Sequence, residues 1–150
     1  MDDIDKKILA ELQVDGRLTV TELAERVNLS VSPCHRRLRA LEADKVITGY
    51  RALIDPSSVG YDFSTIVFVT LRDGDNQTMT RFEEELEQVP EVVRAVRMFG
   101  EPDYLLVVWT HDVTAFQHLY DERLSALAGV QRLTSTIVMK TVVPERSVPL

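Results

Sequence analysis

Two stretches of this chain, Phe63–Leu71 and Tyr104–His111, are apolar on both of their alternating faces, and this constrains the fold more than any other feature. Successive side chains of a strand point to opposite sides of its sheet. In the first stretch Phe63, Val67, Val69 and Leu71 fall on one side, with Ile66 and Phe68 on the other. In the second, Tyr104, Leu106 and Val108 oppose Leu105, Val107 and Trp109. Strands of this kind need an apolar layer against each face of the sheet.

The neighbouring segments supply one such layer. After the turn Asp73-Gly74-Asp75-Asn76, Met79, Phe82, Leu86 and Val89 form a helical stripe that ends at Pro90, and Val92–Phe99 is a further β-branched run. Asp112 caps a helix from about Val113 to Leu127 that carries Phe116, Leu119, Tyr120, Leu124 and Leu127; Gly129 ends it, and Val130–Val143 reads as the last strand. Each helix exits into a similar phrase, Pro90-Glu91-Val92-Val93-Arg94 and Ala128-Gly129-Val130-Gln131-Arg132, a weak internal echo. Residues 61–150 are therefore expected to form a ferredoxin-like βαββαβ domain, α+β in class, with both helices on one face. No segment remains for the other face, which points to a second copy of the chain as its cover.

Residues 1–48 follow a helical period instead. A first helix starts at Asp2 or Asp3, turns Ile4, Ile8, Leu9 and Leu12 inward, and stops at Gly16. Thr19-Val20-Thr21-Glu22 is a capping box for a second helix with Leu23, Ala24 and Val27 on its inner stripe, and Asn28 ends it in a tight turn. In the third helix, over Leu29–Glu42, Val31, Cys34, Leu38 and Leu41 share about a quarter of the circumference at roughly 100° per residue. Ser32, His35, Arg36 and Arg39 lie opposite. Ser30 or Ser32 can cap this helix, and Pro33 is tolerated in the first turn. Arg37, nearer the apolar edge, is assigned to packing or to a phosphate. Two short helices joined this way, the second basic on its outer side, have the form of a helix-turn-helix. No acidic residue interrupts the three arginines and the histidine between residues 30 and 41. Ser32, His35, Arg36 and Arg39 are accordingly the candidate contacts to double-stranded DNA. Residues 49–60 read as a strand, from about Thr48 to Ile54, and a linker begun by Asp55-Pro56. A helical unit of this size is marginal alone.

The charge is distributed unevenly. A net charge of −7 argues against a protein that coats nucleic acid by charge alone. Residues 1–48, however, hold eight Lys and Arg against nine Asp and Glu, leaving nine against fifteen for the rest, so the acidity belongs to the second half. With 45% hydrophobic residues the chain can bury a core, no apolar run reaches the length of a membrane span, and Met1-Asp2-Asp3 does not begin like a signal peptide. The cytoplasm is the expected compartment. The single cysteine, Cys34, excludes an internal disulfide framework and is expected to be a small core residue; His35, His111 and His118 lack metal-site spacing. No nucleophile elbow, P-loop or dinucleotide fingerprint occurs, so no catalytic residue, metal or cofactor is expected. Glu83-Glu84-Glu85-Glu87 reads as a solvated helix face. Glu101 and Asp103, two carboxylates in one turn, suit a solvated turn or a site for an ammonium group better than acid–base chemistry.

Four phrases in order resemble the Lrp/AsnC family, the feast/famine regulators, across essentially the whole chain. They are Asp2-Asp3-Ile4-Asp5-Lys6-Lys7-Ile8-Leu9, then Leu29-Ser30-x-Ser32-Pro33-Cys34-x-x-Arg37-Leu38-x-x-Leu41-Glu42, then Ile47-x-Gly49-Tyr50, and Gly100-x-x-Asp103-Tyr104-Leu105-Leu106. The resemblance implies a transcription regulator with an N-terminal winged or plain helix-turn-helix. It also implies a βαββαβ domain that pairs sheet to sheet into homodimers, which assemble further into octamers and bind a small amino acid between dimers.

An amino-acid effector brings an ammonium that wants a carboxylate and a carboxylate that wants N–H or hydroxyl donors. Gly100 gives its turn backbone freedom, and Asp103 places a carboxylate where Tyr104 opens the next strand. Thr134, Ser135 and Thr136 are a hydroxyl cluster early in the last strand. By resemblance they face the same pocket from a neighbouring subunit. Gly100, Asp103, Tyr104, Thr134, Ser135 and Thr136 are thus the candidate effector residues. Against this stands the reading in which Asp103 caps the turn and the hydroxyls satisfy local backbone. Two other functions compete with an amino-acid-responsive regulator: an architectural protein that wraps DNA without a ligand, and a small ferredoxin-like hydrolase.

Overall fold

Asp2 opens the first helix, α1 (Asp3–Val14), by accepting the N–H groups of Ile4 and Asp5, while the Asp5 carboxylate accepts the N–H of Asp2. Thr19 and Glu22 form the corresponding box at α2 (Val20–Arg26). Asn28, at φ +56°, turns the chain sharply into α3 (Val31–Ala43). Ile8, Leu23, Ala24, Val27, Cys34 and Leu41 interlock as the buried centre of the three helices. Ser30 occupies the cap position of α3 without a side-chain bond to it. Val31, expected inside, is the first residue of α3, is 47% exposed and stays outside the buried cluster.

The structure is a computed structural model that describes all 150 residues, and the chain divides into two units. One comprises Met1–Leu53 with Val143–Leu150, the other Ile54–Val142. The last eight residues, expected with the sheet, thus group with the helices; Arg51 pairs with Glu145 at 2.7 Å, and the Gln13 amide donates to the Val148 carbonyl at 3.2 Å. Residues 48–54 do not form the expected strand and pair with no edge of the sheet. A 3-10 turn, Pro56–Val59, capped by Asp55, follows.

The second unit runs β1 (Phe63–Leu71), α4 (Asn76–Leu86), β2 (Val92–Arg97), β3 (Tyr104–Thr110), α5 (Val113–Glu122) and β4 (Val130–Ile137). Its sheet has the order β2-β3-β1-β4, every pairing antiparallel, which is the ferredoxin-like arrangement the sequence implies. Val67, Val69, Leu71, Tyr104, Leu106 and Val108 pack on Phe82, Leu86, Leu119 and Leu124. Each such fully buried apolar side chain contributes about 1.5–3 kcal/mol. Four elements end earlier than expected, β3 by a single residue at Thr110. β2 stops before the turn at Met98, and α5 yields at Arg123 to a 3-10 turn, Leu124–Ala126. The last strand ends at Ile137, opposite Thr65, with one further backbone bond beyond it, from the Val138 N–H to the Ser64 carbonyl at 3.0 Å.

Candidate nucleic-acid interface and ligand site

Ser32, His35, Arg36 and Arg39 are all exposed and lie on the side of α3 opposite the buried Cys34 and Leu41. Burial pushes the Cys34 thiol up from its ordinary pKa, as befits a core residue. The arginines differ in their surroundings. Arg36 makes no ion pair, whereas the Arg39 guanidinium lies 3.4 Å from His35 Nε2 and 3.6 Å from Glu42. Arg37 donates to Asp2 at 2.7 Å and to Asp5 at 2.8 Å, which raises its pKa, Asp5 first and Asp2 next. The basic stretch thus does have acidic neighbours, two of them more than thirty residues away in sequence, and Arg37 packs against α1.

Register assigns the faces of the sheet. Thr134, Phe68, Leu105 and Val96 stand in one row across the four strands, and Thr136, Ile66, Val107 and Arg94 in the next. These rows lie on the face away from the helices, where Ile66, Phe68, Leu105, Val107 and Trp109 are all half-buried. An apolar face of this kind lacks cover from its own chain. Ser135 pairs with Val67 and therefore belongs to the helix face, so alternation divides the hydroxyl cluster. There it borders a shallow groove of about 400 Å³ with Val113, Phe116, Gln117 and Tyr120.

The other candidate residues surround the turn between β2 and β3. Gly100 has φ +113°, a conformation that favours glycine, and is exposed. The Asp103 carboxylate accepts the backbone N–H of Leu71 at 2.7 Å, leaving its other oxygen unengaged. Tyr104 is 2% exposed; its ring packs 4.7 Å from that of Phe82, and its hydroxyl donates to Glu83 at 2.7 Å. Burial and the Glu83 carboxylate raise its pKa. Within one chain, β1 separates Thr134 and Thr136 from Asp103 and Tyr104. What joins the turn to β4 is an ion pair absent from the sequence reading, Glu101 with Arg132 at 2.6 Å. The two residues are 31 apart in sequence, so no local spacing signals the pair.

Residues 1–48 match the winged helix-turn-helix DNA-binding family, and residues 64–148 match the Lrp/AsnC ligand binding domain. The proline dehydrogenase transcriptional activator of Rhodobacter capsulatus is 38% identical over 98% of this chain and 96% of its own. A transcriptional regulator of Neisseria meningitidis, solved as a complex with L-Met, shares 38% identity and superposes with a TM-score of 0.93 over 99% of this chain and 96% of its own. A feast or famine regulatory protein of M. tuberculosis, complexed with L-methionine, gives 37%, 0.87, and 97% of both chains. No helix here is long and apolar enough to cross a membrane.

Proposed function

Because the chain belongs to the Lrp/AsnC family of transcription regulators, we propose that it reads specific DNA sites through α3 and that a small amino acid adjusts its assembly or its DNA affinity. The observation that carries the reading is the exposed face of α3, where Ser32, His35, Arg36 and Arg39 stand together with the packed side directly behind them. Arginine reads guanine in the major groove, and a specific contact is worth about 1–3 kcal/mol, whereas a phosphate contact strengthens all sequences alike. The relatives solved with methionine support an amino acid as effector. Gly100, Asp103, Tyr104, Thr134, Ser135 and Thr136 are its proposed surroundings.

The working form is a homodimer joined through the helix-free face of the sheet, assembling further to an octamer in the cytoplasm. Support comes from the half-buried Ile66, Phe68, Leu105, Val107 and Trp109, which form a continuous apolar layer. We read the protein as a regulator rather than an enzyme, in line with the family. In the alternative reading Asp103 serves only the Leu71 N–H, and the chain is a DNA-wrapping protein that takes no ligand.

A mobility-shift assay on DNA upstream of the protein's own gene, at fixed salt and with a panel of amino acids, separates these readings. The regulator binds some sites far better than others and responds to at least one amino acid. The wrapping protein does neither. Arg36→Ala and Arg39→Ala each weaken operator binding by about 1–3 kcal/mol without unfolding the chain. Full retention in both variants overturns the assignment of this face.

A further inference from the structure

Arg37 has a geometry unlike that of its neighbours. One nitrogen, Nη1, donates to both Asp2 and Asp5, and the remaining oxygen of each carboxylate caps the first turn of α1. The side chains are 30%, 53% and 16% exposed for Arg37, Asp2 and Asp5. Two charge-assisted bonds at this distance are strong and directional. Moving the guanidinium to a phosphate would break both and leave two carboxylates unpaired beside a polyanion. Arg37 also shares the side of α3 that carries Cys34 and Leu41, about a quarter turn from Arg36.

We propose that Arg37 is a positioning residue for DNA reading: anchored by Asp2 and Asp5, it fixes the rotation of α3 about its own axis, and so the direction of Ser32, His35, Arg36 and Arg39, without touching DNA. This rests on α3 being the reading helix. Base contacts carry the sequence information and phosphate contacts do not, so an anchor that aims the base-reading side chains governs discrimination between sites more than overall affinity. Asp2 and Asp5, though acidic, thereby favour DNA reading.

The test uses the full chain with Asp5→Asn, Arg37→Gln and the double variant, alongside Arg36→Ala. Operator and non-operator affinities are measured across a salt series at a temperature where circular dichroism shows each protein folded. Asn at position 5 keeps an acceptor for the Asp2 N–H and removes the charge. The positioning role lowers the ratio of operator to non-operator affinity by about fivefold or more in each single variant, the low end of losing one base contact. The double variant is then no worse, and the salt slope is unchanged. A purely structural role lowers only the fraction of active protein and leaves that ratio intact, which overturns the proposal. Tighter binding in Asp5→Asn, or a salt slope smaller by about one in Arg37→Gln, makes Arg37 a phosphate contact and overturns it as well. If Arg37→Gln does not fold, Asp5→Asn alone decides by the same ratio. Loss of operator preference in none of the variants, Arg36→Ala included, instead places the failure in the choice of α3.

Discussion

The carboxylate of Asp103 holds the backbone N–H of Leu71 at 2.7 Å, tying the start of β3 to the end of β1 beside it. The same residue's backbone accepts from Met98 and donates to Val69, so the turn is fastened at three points. One carboxylate oxygen remains for a ligand. The structural bond and the proposed ammonium bond can therefore coexist on one side chain.

Two substitutions separate these roles. Asp103→Asn keeps an acceptor for Leu71 but removes the charge, so thermal stability holds while calorimetry shows the effector's affinity lost. Asp103→Ala also strands a half-buried N–H, which costs about 1–3 kcal/mol of stability. An effector that binds the Asn variant as well as the unmodified chain removes Asp103 from the ligand site.

Val107 and Val108 are adjacent in sequence and face opposite ways. Val108 is fully buried under the helices, whereas Val107 stands half-buried in the helix-free layer. Val108→Asp places an unpaired charge in the core and abolishes the folded circular dichroism spectrum. Val107→Asp retains the spectrum and sediments as a smaller species at micromolar concentration. Unchanged sedimentation refutes the sheet-to-sheet dimer.

Helix capping makes stability depend on acid. Backbone donation from Asp5, and then Arg37, hold Asp2 below its ordinary pKa of 3.8; the Thr19 hydroxyl and N–H hold Glu22 below 4.5. Groups with lowered values in the folded state stabilise it above their unfolded pKa, and lose that contribution as the pH falls through the folded one. The melting temperature should stay level from neutrality down to about pH 5 and decline below about pH 4. Asp2→Asn melts lower at neutral pH and declines less in acid. Parallel pH profiles for the two proteins count against this account.

Gly129 leaves no room for a side chain. It sits at φ +71°, and a Cβ there would collide with Cγ2 of Thr78. Gly129→Ala is expected to cost about 1–3 kcal/mol by denaturant unfolding. Adding Thr78→Ala relieves the collision but leaves the left-handed strain, so rescue is partial. Full rescue would show that backbone conformation costs nothing here.

Local features were legible in the sequence, and remote partners were not. The Thr19–Glu22 box, the Asn28 turn and the span of β1 follow from neighbours a few residues apart. The partners of Arg37 lie more than thirty residues upstream, and no period in α3 reveals them. Residues 48–54 have the composition of a strand, but a strand exists only where another edge accepts its bonds. The bonding of β4 likewise stops only a residue or so after its last pair with β1, Ile137 with Thr65, although its β-branched run continues to Val143. Alternation showed that Val107 and Val108 differ, yet both are apolar, and only register against β1 and the helices says which is core. Thr134, Ser135 and Thr136 looked like a single cluster because sequence proximity conceals the two-residue period that parts them.

The grouping of Val143–Leu150 with the three helices bears on how the chain is made. The helices leave the ribosome first, but their links to the tail, Arg51 with Glu145 and Gln13 with Val148, wait until every strand of the sheet has been translated. Each closes a loop on the order of a hundred residues or more, an entropic cost that an already folded sheet reduces by shortening the free path. The helix-turn-helix end therefore gains its last supports only after the whole sheet has been translated, so nascent chains stalled before residue 143 carry helices without them.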